Sequence, residues 1–115
     1  MSIQELTSHN FDQTLEAHDL LVVDFWADWC GPCKVFGKIM AQIATEYPDV
    51  FFASVNVENE KALSEEFDVR SVPFVMIFRH RVLVYAESGA LSALALRELL
   101  DQAKALDQKQ LQQEK

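Results

Sequence analysis

Two thiols stand three positions apart in "WADWCGPCKVF" (Trp26 to Phe36), and they are the only cysteines in the chain. Gly31 and Pro32 separate Cys30 from Cys33, and Trp29 and Lys34 flank the pair. Such a pair can be a staple, a metal clip or a reagent. As a staple it is poor, because the ring its disulfide closes is too short to remove much chain entropy. A chain of 115 residues can also build a hydrophobic core unaided. As a structural metal site it is incomplete, since zinc usually takes four ligands. His9, His18 and His80 are scattered rather than spaced as ligands. As a reagent it is well placed. Cys30 follows an apolar strand pattern and Cys33 falls in the first turn of a helix. The unpaired N–H groups and partial positive charge of a helix N-terminus stabilise a thiolate. Pro32 costs nothing there, because its missing N–H would have lacked a partner anyway. A close cysteine pair beside a strand–helix–strand pattern reads as a redox motif.

The elements that must hold the pair follow from the apolar pattern. Ile3 to Leu6 reads as a short edge strand. Asn10 and Gln13 have capping-box spacing ahead of Phe11, Leu15 and His18. "LLVVDFWA" (Leu20 to Ala27) is nearly continuous in apolar residues and reads as a buried central strand. Cys33 to Tyr47 is helical, with Phe36, Ile39, Met40, Ile43, Ala44 and Tyr47 on one face and Pro48 as a stop. Val50 to Val57 is a second buried strand. Asn59 to Phe67 is a short helix with Ala62, Leu63 and Phe67 inward. Val72 to Phe78 and Val82 to Ser88 form a hairpin through Arg79, His80 and Arg81. After Gly89, a helix runs from Leu91 to at least Leu106 with Leu91, Leu94, Leu99, Leu100, Ala103 and Leu106 on its apolar face. The order β-α-β-α-β-α-β-β-α predicts an α/β domain. Its central mixed sheet has about five strands and is flanked on both faces by about four helices.

Composition narrows the partners. Half of the residues are hydrophobic, 24% are charged, and the formal net charge is −8. This is the balance of a folded globular domain. Nucleic acid and anionic membrane attract basic proteins, so neither is an expected partner. No apolar run approaches the roughly 20 residues of a membrane helix. The N-terminus lacks the basic-then-apolar pattern of a secretory signal, so a cytoplasmic location is the default expectation. In that reducing compartment a close cysteine pair is more often catalytic or metal-binding than structural.

The segment "VDFWADWCGPCK" resembles the signature of the thioredoxin family. "RSVPFVMIF" is similar to the family segment that carries its cis-proline, and "SGALS" (Ser88 to Ser92) to its glycine loop. The likeness runs from about Leu6 to Ala105. It implies a thioredoxin fold over residues 1–105, with 106–115 as a helical or frayed extension. It also implies a monomeric protein-disulfide reductase in which Cys30 is the exposed attacking thiolate and Cys33 the more buried resolving thiol. Trp29 would cover one side of the pair, beside Gly31 and Pro32. Val72, Pro73, Gly89 and Ala90 would form an apolar platform for a partner segment, and Lys34 would add positive potential. No cofactor is implied. Electrons would come from NADPH through a separate flavoprotein, a thioredoxin reductase, and pass to disulfide-containing protein substrates. A disulfide oxidant or isomerase, and a binding or chaperone-type accessory module on the same fold, are the alternatives.

Four positions depart from the family pattern. Ser54 stands where a lysine is common, and Lys38 where a proline bends the active-site helix, so a straighter helix is expected. Phe74 replaces the usual threonine after the cis-proline and would reshape the binding surface. His80-Arg81 stands at the hairpin tip in place of Asn-Gly. It lacks the residues favoured at positive φ, so a different or wider turn is expected. Asp24 interrupts the apolar run of its strand. Burying an isolated charge is costly. A partly exposed or backbone-satisfied aspartate would explain it blandly. The resemblance instead implies a buried acid beneath Cys33 that accepts its proton, with a pKa raised by burial above the ordinary carboxylate value.

Overall fold

The computed structural model describes residues 3–113. Its elements are β1 (Ile3–Glu5), α1 (Phe11–Ala17), β2 (Leu20–Trp26), α2 (Gly31–Ala44), β3 (Phe51–Asn56), α3 (Lys61–Glu66), β4 (Phe74–Arg79), β5 (Val82–Ser88), α4 (Ala93–Ala105) and α5 (Gln108–Gln113). The strand order is β1-β3-β2-β4-β5. β1, β3 and β2 are parallel, while β4 is antiparallel to both β2 and β5. This is the expected mixed sheet with helices on both faces.

Alternation along β2 sorts the two cores. Leu20 and Val22 point to one face, where Phe36, Met40 and Ile43 of α2 and Leu96, Leu100 and Ala103 of α4 close over them. Leu21, Val23 and Phe25 point to the other, against Phe11 and Leu63. Asp24 therefore shares its direction with Leu20 and Val22, under α2. β2 and β3, central and covered on both sides, are apolar nearly throughout for that reason.

Several boundaries differ from expectation, each for a local reason. α2 begins at Gly31 because Cys30 caps it, Sγ accepting the Cys33 N–H at 3.1 Å. It ends at Ala44, before Tyr47, whose hydroxyl leaves the helix to donate to Asp101 Oδ1 at 2.8 Å. The α2 helix runs through Lys38, which is exposed. Asn10 does not cap α1; its Oδ1 accepts the Thr7 N–H instead, at 2.8 Å. His18 is extended rather than helical and stacks on Phe51. Ala62 lies on the exposed side of α3. α4 starts only after Ser92, whose Oγ accepts the Ala95 N–H at 3.1 Å. The inward row of α4 is Leu96, Leu100 and Ala103, at i, i+4 and i+7, so Leu94 is 63% exposed.

The hairpin tip corrects another expectation. Arg79 pairs with Val82, leaving a two-residue loop in which His80 and Arg81 both have positive φ, 50° and 68°. This is the tight turn that Asn-Gly would form, adopted without those residues. The chain before β2 holds it. Asp19 C=O accepts the His80 N–H at 2.7 Å, and Arg81 Nη1 donates to the Glu16 carbonyl at 3.3 Å.

The C-terminus is not a continuation of α4. Arg79 donates from Nε to the Leu106 carbonyl and from Nη2 to that of Lys104, and the chain turns at an extended Leu106. α5 then starts from a reciprocal box in which Asp107 Oδ1 accepts the Gln110 N–H and Gln110 Oε1 accepts the Asp107 N–H. Leu111 is buried and lines an apolar hollow with Val82, Leu83, Val84 and Leu106. Among the described residues, no helix is long and apolar enough to cross a membrane.

Candidate active site

β2 and β3 run parallel and in register, Trp26 beside Asn56, so the loops that follow them meet at one end of the sheet. Ligand sites in sheets of this kind form at the carboxyl ends of parallel strands. The β2 loop delivers Trp29 and Cys30 to the N-terminus of α2. The β3 loop delivers Val57 and Glu58. The segment before β4 brings Val72 and Pro73 to the same place.

Cys30 and Cys33 form a disulfide, with Cα atoms 5.3 Å apart. Trp26, Val57 and Val72 pack against the pair. Cys30 Sγ lies 3.7 Å from the Val72 carbonyl oxygen. The expectation of an exposed Cys30 over a buried Cys33 is corrected, because each residue is 4% exposed in the disulfide state. Their surroundings differ instead. Cys30 sits outside the helix against Val72, while Cys33 lies inside its first turn and borders a recess of about 240 Å³ with Ile3, Asp24, Trp26, Gly37 and Ser54.

Val72–Pro73 is a cis bond, and Pro73 is buried. The Pro73 carbonyl accepts the Gly89 N–H at 2.8 Å, which ties the glycine loop to the proline loop. Gly89 has φ +109°, a conformation that side chains strain to adopt, and Gly89 and Ala90 are both exposed. Gly31, Pro32 and Lys34 are exposed on the first turn of α2. Trp29 is 70% exposed, so it is a surface residue rather than core. Phe74, expected to enlarge or reshape the binding surface, is directed mainly into the core. β4 alternation turns it inward, half-buried, with its ring edge-on to Phe25 at 6.0 Å.

The sequence reading missed Glu58 and the opposite wall of the groove. Trp29 Nε1 donates to Glu58 Oε2 at 2.7 Å, so the carboxylate fixes the indole. Val57, Val69, Arg70 and Ser71 line a shallow groove with Trp29 and Val72. The equal register of β2 and β3 was the available signal for Glu58, since it sets residues just beyond both strands side by side.

Asp24 is only 4% exposed, its Oδ1 has no hydrogen-bond partner among the described residues, and burial pushes its pKa up to about 7. Unlike the bland alternative of an exposed or backbone-satisfied aspartate, the side chain is buried and its Oδ1 is unpaired among the described residues. Ser54 is its register neighbour on β3 and is half-buried, without a hydrogen bond to it among the described residues. Among the same residues, no cluster of three or more His, Cys, Asp or Glu side chains is arranged to hold a metal ion.

The thioredoxin family model matches residues 2–102. The chain belongs to the thioredoxin family. It is 43% identical over 106 residues to a thioredoxin-type protein of Streptomyces coelicolor, covering 92% of this chain and 79% of that one. It is 36% identical over 102 residues to a thioredoxin of Buchnera aphidicola from Acyrthosiphon pisum, covering 87% and 94%. A solved thioredoxin variant from Halobacterium salinarum superposes with a TM-score of 0.85 at 27% identity, covering 92% and 94%. Thioredoxins are thiol–disulfide oxidoreductases that work through a redox-active cysteine pair without a cofactor. The Cys30–Cys33 pair at the start of α2 gives this chain that dithiol–disulfide exchange chemistry.

Proposed function

We propose that this chain is a cytoplasmic protein-disulfide reductase in which Cys30 attacks and Cys33 resolves. One observation carries the order of the two thiols. Cys30 Sγ accepts the Cys33 N–H at the N-cap of α2, where backbone dipole and hydrogen bond both favour a sulfur anion. The Cys30 thiolate attacks one sulfur of a partner disulfide. A mixed disulfide forms, and the partner's other sulfur leaves as a thiolate. Cys33 then loses its proton toward Asp24 across their shared recess and attacks Cys30 Sγ. The intramolecular disulfide forms and the partner's second thiolate departs. Two electrons have passed to the partner, which takes up two protons. Asp24 suits the proton step because a group with a pKa of about 7 exchanges protons readily at neutral pH.

A partner chain would lie across Trp29, Gly31, Pro32, Val72, Pro73, Gly89 and Ala90, where apolar surface and backbone flank Cys30. Lys34, exposed on the first turn of α2, would add positive potential near the thiolate. The dithiol would be regenerated by NADPH through a separate flavoprotein reductase, with this chain acting as a monomer.

The thiol variants test the assignment. Cys30→Ser should abolish disulfide reduction. Cys33→Ser should retain the first attack and accumulate mixed disulfides, visible as higher-mass species that dithiothreitol dissolves. Trapping by Cys30→Ser and not by Cys33→Ser would reverse the roles.

A further inference from the structure

The recess beside Cys33 and the Val72 groove share no lining residue. Asp24 lines the recess, 4% exposed and, among the described residues, without a hydrogen-bond partner on Oδ1. Ser54, Trp26 and Ile3 line it as well. On α2, Gly37 leaves the wall open, since a Cβ placed there would meet nothing within 4 Å. The sheet register sets Glu5, Ser54 and Asp24 abreast across β1, β3 and β2, so a second carboxylate, exposed, marks the outer edge. Lys34 and Lys38 of α2 are exposed and form no ion pair with Asp24 among the described residues, and across the sheet its neighbour on β4 is the apolar Val75. Cys33 also lines the recess, and as half of the disulfide it does not titrate.

We propose that this recess is a binding site for a primary ammonium group, held by the Asp24 carboxylate and the Ser54 hydroxyl beside Trp26. The chemistry follows from the lining. An unpaired buried carboxylate lacks a cation, and an ammonium supplies both charge and N–H donors. A hydroxyl accepts one of those N–H groups. An indole face attracts a desolvated cation. The apolar wall at Ile3 takes the alkyl chain that carries the ammonium. The net charge of −8 raises the local concentration of cations. The volume of about 240 Å³ admits a short alkylamine or the end of a lysine side chain. Bound there, the cation keeps Asp24 ionised and so sets when it can take the proton of Cys33.

This inference shares Asp24 with the reading above but is tested on the oxidised protein without turnover, so its failure leaves the roles of Cys30 and Cys33 untouched. The Asp24 carboxyl carbon is titrated by NMR, assigned with Asp24→Asn, in propylammonium chloride and in sodium chloride of equal ionic strength. In sodium chloride its midpoint should lie near 7. Saturating propylammonium should lower it by about one pH unit or more, as an opposite charge at contact does. Gly37→Leu, which fills the recess from the helix side, should remove the response. Should that variant not fold, Ser54→Leu gives the same readout from β3. A shift no larger than in sodium chloride, or one that persists in the filled variants, would overturn the site. Acetyl-lysine amide bearing a free ε-ammonium, used as a second probe, should act like propylammonium if a partner's lysine is the source. An effect of propylammonium alone would assign the site to free amines.

Discussion

Asp24 stores a pH dependence whose sign follows from its burial. Its pKa rises from the ordinary 3.8 to about 7 because the apolar surroundings penalise the anion. The folded state therefore holds a proton that the unfolded state releases. Below pH 3.8 both states are protonated and Asp24 contributes nothing. As pH rises from there to about 7 stability is lost, and above 7 the full loss, on the order of 4 kcal/mol, is in place. Asp24→Asn removes the ionisation while keeping the shape. Its denaturant stability should match that of the native chain near pH 4 and exceed it by a few kcal/mol at pH 8, while its mixed disulfides resolve more slowly. A variant less stable at pH 8 and equally fast would make Asp24 a structural residue. Trp29 shows a different use of a carboxylate. Exposed and joined to Glu58 at 2.7 Å, it is positioned by a surface bond rather than by packing.

Among the elements, the hairpin tip and α5 depend most on tertiary contacts. His80 and Arg81 are held at positive φ, which costs a side-chain-bearing residue roughly 1–2 kcal/mol. The Asp19 and Glu16 carbonyls offset part of that. Replacing the pair with Asn-Gly keeps the His80 N–H bond and relieves the strain, so thermal unfolding should move upward by the equivalent of about 1 kcal/mol. A decrease would show that the Arg81 side chain outweighs the strain. The segment after Ala105 contributes the Leu106 carbonyl that receives Arg79 Nε, a capping box and, on α5, one buried leucine. Deleting residues after Ala105 should leave the exchange rate nearly unchanged, because no α5 residue reaches the cysteine loop. The same truncation should cost about 2 kcal/mol of stability, the scale of one buried leucine. Insulin-type reduction assays and urea melts on the shortened chain separate the two effects, and a large loss of activity or a change in oligomeric state would make α5 an interface.

For the whole molecule, the disulfide is peripheral to both cores. The two large apolar clusters lie on the faces of the sheet, and Cys30 and Cys33 belong to a small third one at its end. Reduction should therefore leave the fold intact and lower its stability by at most about 2 kcal/mol, the loop-closure value for so short a ring. Far-UV circular dichroism during urea unfolding, with and without dithiothreitol, measures this. A reduced chain that unfolds outright would make the pair a staple.

The one-dimensional pattern was enough for the strand and helix order, because β2 and β3 are apolar on both faces and α2 on one, and burial alone dictates those periodicities. It was enough for the cysteine pair too, since its chemistry depends on a spacer two residues long and a helix start beside it. The phase of α4 was not legible. Leu94 and Leu96 are equally apolar, and only the position of Phe36 and Met40 on α2 decides that Leu96 is buried. The Asn-Gly rule failed at His80-Arg81 because the bonds that hold that turn come from residues some sixty positions earlier, which no local propensity contains. Asp24 was visible as an anomaly in its strand. That it borders a recess with Cys33 and Ser54, its Oδ1 without a hydrogen-bond partner among the described residues, depended on which face of the sheet α2 covers, and that is a property of packing rather than of sequence.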